Sequence, residues 1–509
     1  MLNKINYKIS DFTNFIDHYS NQHVEKIYYM SDLVNKQITY EKLIIIIKNF
    51  NILIKKYKIK QQDKIMVICD NGEDLVLVYL SILYYKLIFV PVNPNVVKSE
   101  FIYLKNKTKP KLFITNKFNS KKLGIKKNIF LIENYKKIKN LNIQDNHNNK
   151  KINTKVPNKK KDYIAQILFT SGSTGNPKGV VLTHKSMLNN LFGIFNSIKL
   201  DNKYLNFLSV TPLYHNNGQF IPTLLPFLVG GKTFSISPET SLVNFWPTCK
   251  RFEVNYSSVM ATHINYFNTL KNDKNHNLKI LFCGGAKLDY KSQIKFEKKF
   301  KIKILCNYGL TETSSIASTE SNIVNSYKYG SVGKPLVNNK IKIIKKNKGK
   351  YGEILIKGKN IFKEYLDDKK RTANVKKKDW FLTGDLGYFD KRGFLYIKDR
   401  IDNMIIVSGE NIYPSEIENI IYEFKKIKLG IVTSIPDKIT QNRLVLVYES
   451  QHKINKDDIV NFLSKKLTKY KIPKEILSCD EVGIKEIPKA ANKKILRHKI
   501  KSIVLNLFK

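Results

Sequence analysis

Cysteine is scarce in this sequence, and nothing pairs it. The 509 residues contain five: Cys69, Cys249, Cys283, Cys306 and Cys479. They are scattered, odd in number and never spaced Cys-x-x-Cys. That argues against a disulfide frame or a zinc site and for reduced thiols in the cytoplasm. Export and membrane signals are also missing. Residues 1–10 carry lysines with no apolar signal core behind them. The strongest apolar run, residues 75–85, stops at Lys86 and Pro91. It is too short to span a bilayer and predicts a buried helix followed by a strand. Acidic residues are few: 42 Asp and Glu face 89 Lys and Arg, a net charge of +47. Such an excess suggests a nucleic-acid or membrane-surface binder. The chain has no Arg-rich arm and no nucleic-acid motif, and its lysines are spread through nearly every segment. Even residue usage is the simpler reading, and a positive field would still serve an enzyme of anionic substrates.

What is present centres on one string, Thr170-Ser171-Gly172-Ser173-Thr174-Gly175-Asn176-Pro177-Lys178-Gly179. An apolar run over 163–169 leads in and reads as a buried strand; another over 180–182 leads out. Glycines let the backbone approach a ligand closely, and free N–H groups in such a turn form an anion-binding nest. Hydroxyls and Lys178 add donors and a positive charge. The string predicts a phosphate cradle. It is not a Walker A loop, because no Gly-Lys-[Ser/Thr] stands at the required spacing.

After it, Thr183 can cap a helix whose Leu188, Leu191, Phe192 and Phe195 share one face. Three more apolar runs end abruptly in special residues. Residues 207–210 run into Thr211-Pro212-Leu213-Tyr214-His215, 280–283 into Gly284-Gly285-Ala286, and 302–306 into Asn307-Tyr308-Gly309-Leu310-Thr311-Glu312. In parallel α/β sheets the ligand crevice lies outside the carboxyl ends of the strands, so these ends and the loop are expected to converge. The Lys- and Asn-rich stretch 117–161 predicts an exposed, partly mobile segment. Beyond residue 330 short alternating runs appear, with a hairpin signal at Asp390-Lys391-Arg392-Gly393.

The 170–179 string closely resembles the phosphate-loop signature of the adenylate-forming superfamily, which includes acyl-CoA synthetases, adenylation domains of peptide synthetases and luciferases. Asn307 to Glu312 resembles that family's second core motif. There Tyr308 offers a flat face to adenine, Thr311 a donor to phosphate, and Glu312 a hard oxygen ligand for Mg²⁺. Trp380-Phe381-Leu382-Thr383-Gly384-Asp385 resembles its ribose motif, with Arg400 near the same sugar or a phosphate. Ile401-Asp402 and Ser408-Gly409-Glu410 resemble the hinge and first loop of a mobile domain. The resemblance makes Asp402 the hinge and sets Gly409 beside the pantetheine channel. Pro488-Lys489-Ala490-Ala491-Asn492-Lys493-Lys494-Ile495-Leu496-Arg497 places Lys494 on the catalytic lysine. Ala490 replaces a usual threonine there, and Lys493 a usual glycine.

The resemblance implies an α/β chain with a large N-terminal domain, residues 1–400, of two parallel-sheet subdomains plus a small β-barrel. A small mobile α+β domain follows, residues 401–509. It also implies an ATP-, Mg²⁺- and CoA-dependent ligase of a carboxylic acid, acting through an acyl-adenylate. Tyr214-His215-Asn216-Asn217-Gly218 is similar to the Pro-x-x-His element of acyl-CoA synthetases. No aspartate stands near it to hold an amino group, so an unaminated acid is favoured. Two alternatives stay open: loading of an acyl carrier protein, and a non-catalytic basic binding protein on a decayed synthetase scaffold.

Overall fold

A computed structural model describes residues 9–30, 37–141, 162–170, 177–201, 203, 205–236, 240–271, 275–323, 325–345, 349–408, 410–489 and 495–508. The chain packs as two compact units. The first is Met1–Ile341, Ile356–Phe381 and Gly393–Leu395; the second is Lys342–Leu355, Leu382–Arg392 and Tyr396–Lys509.

Two sheets dominate the first unit. The nine-stranded one runs Lys334–Pro335, Ser318–Thr319, Lys303–Tyr308, Ile280–Cys283, Tyr256–Val259, Asn206–Ser209, Lys232–Ser235, Ile27–Met30, Gln37–Thr39. From Lys303–Tyr308 across to Ile27–Met30 every neighbouring pair is parallel. The seven-stranded sheet runs Glu364–Tyr365, Lys178–Thr183, Ile164–Thr170, Ile88–Pro91, Lys64–Ile68, Leu112–Thr115, Ile129–Leu131. Its last five strands are parallel, and the phosphate-loop strands Ile164–Thr170 and Lys178–Thr183 form an antiparallel pair. Central strands such as Ile88–Pro91, Tyr256–Val259 and Ile280–Cys283 are buried at every residue. Helices cover both faces, which is why these segments read as continuous apolar runs.

The run at 75–85 folds as the helix Glu73–Tyr84, buried along its length, and the strand Ile88–Pro91 follows. Helix His184–Ser197 starts at Thr183, whose side chain accepts the Ser186 N–H while the Ser186 hydroxyl accepts the Thr183 N–H. Its Leu188, Leu191 and Phe192 are buried in the main core. The stretch expected to be exposed from 117 is more ordered than predicted. Helix Lys117–Leu123, edge strand Ile129–Leu131 and helix Tyr135–Lys139 occupy its described part, anchored by buried Leu123, Phe130, Tyr135 and Ile138. Its remainder, 142–161, lies outside the described residues. Four well-spaced apolar anchors order a polar segment that composition alone reads as loop.

The expected small β element is a five-stranded sheet in the order Asn339–Ile344, Gly352–Gly358, Trp380–Phe389, Lys376–Lys377, with Leu395–Arg400 also paired to Trp380–Phe389. In the second unit, Leu429–Asp437 pairs antiparallel with Gln441–Glu449, which pairs parallel with Glu475–Ser478. Helix Pro414–Ile421 turns Ile417 and Ile421 into one of its cores. Helix Arg497–Leu507 supplies Ile500 and Val504 to the other.

Candidate active site

Parallel register aligns the special strand ends. Ser209 lies beside Ser258, Val259 beside Cys283, and Cys283 beside Cys306. Thr211, Gly284 and Asn307 therefore leave the same edge of the nine-stranded sheet. At that edge Gly284 lies against the Asn307 amide. A Cβ at 284 would sit 2.1 Å from Asn307 Oδ1, so a larger residue there would have to push the Asn307 amide aside. Asn307 Nδ2 is buried with no partner, a donor free for a ligand. Gly309 is more tightly constrained, because a Cβ there would meet the Ser315 backbone carbonyl at 1.7 Å.

The other sheet reaches this edge in two places. Asn71, just past strand Lys64–Ile68, donates to the Thr211 carbonyl at 3.0 Å and accepts the Leu213 N–H at 3.0 Å. Lys178, first residue of its strand, places Nζ 2.6 Å from Glu312 Oε1. Tyr365 completes a triangle. Its hydroxyl accepts from Lys178 at 3.0 Å and donates to Glu312 Oε1 at 2.8 Å, and Nζ lies 4.6 Å from the ring centroid. Tyr365 arrives through the antiparallel pair Glu364–Tyr365, with Tyr365 opposite Val180. Glu312 stands on the 3-10 turn Thr311–Thr313, and its carbonyl accepts the Phe362 N–H at 2.8 Å.

Burial alone would push the Glu312 carboxyl up. The Lys178 charge and the bonds from Lys178 and Tyr365 outweigh it and hold the group below its ordinary value. Glu312 is thus an ionised, buried oxygen donor. Among the described residues no group of three His, Cys, Asp or Glu could hold a metal ion. One carboxylate plus phosphate oxygens and water is a normal Mg²⁺ shell, so these residues fit the ion.

His215 Nε2 is buried without a partner, and burial lowers the ring's pKa to about 4. It is a neutral imidazole at physiological pH. Asn216 and Asn217 are engaged behind it. Gln166 Nε2 donates to Asn216 Oδ1 at 3.1 Å, and Ser258 Oγ donates to Asn217 Oδ1 at 2.8 Å. Gln166 Oε1, Asn216 Nδ2 and Thr211 Oγ1 remain buried and unpartnered. Polar groups left open inside a fold point to water or to a polar ligand.

In the second unit, Arg400 Nη1 lies 2.9 Å from Asp385 Oδ1 and donates to the Thr383 carbonyl at 2.9 Å. Asp402, 62% exposed in its side chain, is 3.7 Å from Arg400 Nη2. The loop proposed to carry Lys494 is closed at its base by a bridge between Lys489 and Ile495. Arg497 just beyond is half-buried and paired with buried Glu418, with Nη1 2.6 Å from Oε1. Lys489 is committed elsewhere, 3.6 Å from Glu449. Ser171, Gly172, Ser173, Thr174, Gly175, Gly409 and Lys494 lie outside the described residues; Thr170, Gly285, Ala286 and Tyr308 lie on the segments described above.

Residues 16–366 match the family model described as AMP-binding enzyme. The chain belongs to the AMP-binding enzyme family. Among similar curated sequences, the 2-succinylbenzoate–CoA ligase of Bacillus licheniformis is 31% identical over 346 residues, 67% of this chain and 70% of that one. The ligase of the same name from Staphylococcus aureus is 31% identical over 336 residues, 66% of this chain and 67% of its own. Solved structures repeat the fold. The o-succinylbenzoate CoA synthetase of Bacillus subtilis, in complex with its acyl-adenylate intermediate, aligns with a TM-score of 0.83 at 21% identity, covering 96% of this chain and 98% of that one. ATP-bound MatB from Rhodopseudomonas palustris aligns at 0.82 and 18% identity, covering 98% of this chain and 100% of that one. No helix among the described residues is long and apolar enough to cross a membrane, and all five cysteines are buried and free.

Motif reading missed Tyr365, Gln166, Ser258 and Asn71. Tyr365 supports a direct expectation. Removing its hydroxyl leaves the Lys178–Glu312 pair but loosens its geometry. Tyr365→Phe is expected to slow adenylation less than tenfold, about the value of one hydrogen bond. Pyrophosphate exchange at saturating ATP measures it.

Proposed function

We propose that this protein is an ATP-dependent carboxylic acid–CoA ligase that works through an acyl-adenylate and releases AMP and pyrophosphate. Its acid is 2-succinylbenzoate or a close analogue. The observation that carries the reading is the Lys178–Glu312–Tyr365 triangle at the shared strand edge, which holds a cation and an ionised carboxylate where a triphosphate and its metal need them. The substrate class rests on the two 2-succinylbenzoate–CoA ligases that match two thirds of the chain. The unpartnered polar atoms near His215 suit an acid with further oxygen atoms better than a plain alkyl chain.

In this mechanism the substrate carboxylate attacks the α-phosphorus of ATP. The loop 170–175 and Lys178 hold phosphate oxygens, and Thr311 donates to them. Glu312 would hold Mg²⁺, which would supply positive charge to neutralise the phosphates. ATP would then part Lys178 from Glu312, giving each a new partner of opposite charge. Gly284, Gly285, Ala286, Asn307, Tyr308 and Gly309 would line the adenine, Asp385 would accept from ribose hydroxyls, and Arg400 would steady Asp385. His215, neutral, would meet the acid or the acyl-adenylate. Lys494 would stabilise charge during adenylation. Residues 401–509 would turn at Asp402 to present Gly409 to CoA for thiolysis, a gating motion. The compact units group by packing, whereas a hinge is defined by motion, so this boundary stands on the motif. Free thiols and an ATP- and CoA-using activity suit the cytoplasm.

The test is mass spectrometry of the product formed from ATP, 2-succinylbenzoate and either CoA or a purified acyl carrier protein. A CoA thioester is expected. A thioester on the carrier alone would move the acceptor assignment, and no thioester on either would end the ligase reading.

A further inference from the structure

The strand that presents Asn307 and Tyr308 has an unusual outer edge. Lys303–Tyr308 is paired along one side by Ile280–Cys283, but on the other only Asn307 and Tyr308 meet a strand, the two-residue Ser318–Thr319. Beyond that short pair the Cys306 carbonyl keeps one backbone bond, from the Glu320 N–H, while the Cys306 N–H and both backbone groups of Ile304 meet no strand on that side. Side chains replace it. Glu297 Oε1 accepts the Ile304 N–H at 2.8 Å, and Gln293 Nε2 donates to the Ile304 carbonyl at 3.4 Å. Glu320 brackets the next position. Its carboxyl accepts the Cys306 N–H at 2.9 Å while its own N–H donates to the Cys306 carbonyl at 2.8 Å.

Glu320 is fully buried and has no cation partner among the described residues. Its remaining partners are the Lys328 N–H at 3.1 Å and Gln293 Nε2 at 3.2 Å. Gln293 also donates to the Tyr327 hydroxyl at 2.8 Å, and Tyr327 and Tyr329 both donate to Glu297. Gln293 Oε1 is a buried acceptor with no partner. An edge left open at two residues would let the strand end shift, and Asn307 and Tyr308 with it.

We propose that Glu320, with Glu297, is a positioning residue for the nucleotide: it substitutes for a missing strand and fixes the backbone that carries Asn307 and Tyr308. This rests on the nucleotide reading of that strand end. It also gives the edge a pH response. Burial, against hydrogen bonds from Cys306, Lys328 and Gln293, pushes Glu320 up to about 8, and Glu297 adds to the rise. The thiols and phenols facing it do not titrate near neutrality. Burial pushes Cys283 up to about 12 and Cys306 well above its ordinary value, and Tyr327 and Tyr329 are raised too. Lys303 stacks its ammonium on the Tyr327 ring, 3.9 Å from the centroid. The closed edge holds a proton that an opened, solvated Glu320 would release. Closure is therefore firmest near pH 5, weakens as pH rises towards 8, and then levels off.

Two variants and two readouts test this in the full chain. Glu320→Ala leaves the Cys306 N–H unsatisfied, so its hydrogen-exchange protection should fall and KM for ATP rise about tenfold, with kcat at saturating ATP changed less than threefold. Glu320→Gln keeps an acceptor but cannot titrate. It should restore KM at pH 7, and its Cys306 protection should stay flat between pH 5 and 8, where the unsubstituted protein's falls. Unchanged Cys306 protection in Glu320→Ala, or the same pH slope in Glu320→Gln as in the unsubstituted chain, overturns the proposal. If the unsubstituted protein does not use ATP, the nucleotide reading fails, and Cys306 exchange alone still decides whether Glu320 holds the edge.

Discussion

Glu312→Ala is expected to slow adenylation by about two to three orders of magnitude, the usual loss when one aligned group that stabilises transition-state charge is removed. Two effects add. The variant lacks the oxygen donor proposed for Mg²⁺. It also strands Lys178, whose nitrogen now lies 2.6 Å from the carboxylate and, among the described residues, would keep the Tyr365 side chain. Lys178 is partly solvated, with 24% of its side chain exposed, so the stability loss is modest, about 1–2 kcal/mol. Glu312→Gln separates the effects. The amide keeps the volume and a bond to Tyr365 but loses the charge. It should melt close to the unsubstituted protein while remaining as slow as the alanine variant. Pyrophosphate exchange and thermal melting on both variants check this. Exchange within tenfold of normal in Glu312→Gln would remove Glu312 from the chemistry and leave it as a partner of Lys178.

Lys494→Ala is expected to divide the two half-reactions. Adenylation should fall about a hundredfold or more, because a cation on the developing phosphate charge is lost. Thiolysis of synthetic acyl-adenylate should be nearly unchanged, since that step needs no new phosphate stabilisation. The neighbouring lysines sharpen the test. Lys489 is tied to Glu449 and Glu486, so Lys489→Ala should disturb the local structure around 489 without this split. The bridge between Lys489 and Ile495 and the ion pair of Arg497 with Glu418 hold the loop base in place. Equal loss of both half-reactions in Lys494→Ala would assign the lysine a structural role.

Much of this was legible because buried parallel strands leave a plain signature. Each is a short apolar run, and its ligand end is a sudden change to glycine or polar residues, as at Cys283-Gly284 and Cys306-Asn307. Register then brings such ends to one edge without further information. The residues that stayed hidden act through pairing across the fold. Tyr365 belongs to a two-residue strand with no motif around it, and its meaning appears only when Val180 lies opposite. Gln166 sits inside a strand read as wholly apolar, and its role depends on Asn216, 50 positions away. Asn71 and Ser258 likewise act on loops contributed by distant segments. Glu320 belongs to no motif, and its role appears only when the strand beside Lys303–Tyr308 proves to be two residues long. The segment from 117 failed in the opposite direction: its lysines and asparagines outweighed four apolar anchors that suffice for order.

The most direct measurement is isotope exchange between pyrophosphate and ATP, without CoA, across a panel of acids that includes 2-succinylbenzoate, benzoate, malonate and a medium-chain fatty acid. The account predicts acid-dependent exchange that requires Mg²⁺, is greatest with 2-succinylbenzoate and falls about a hundredfold or more in Glu312→Gln. Exchange that no acid stimulates, or that persists undiminished in Glu312→Gln, would contradict it.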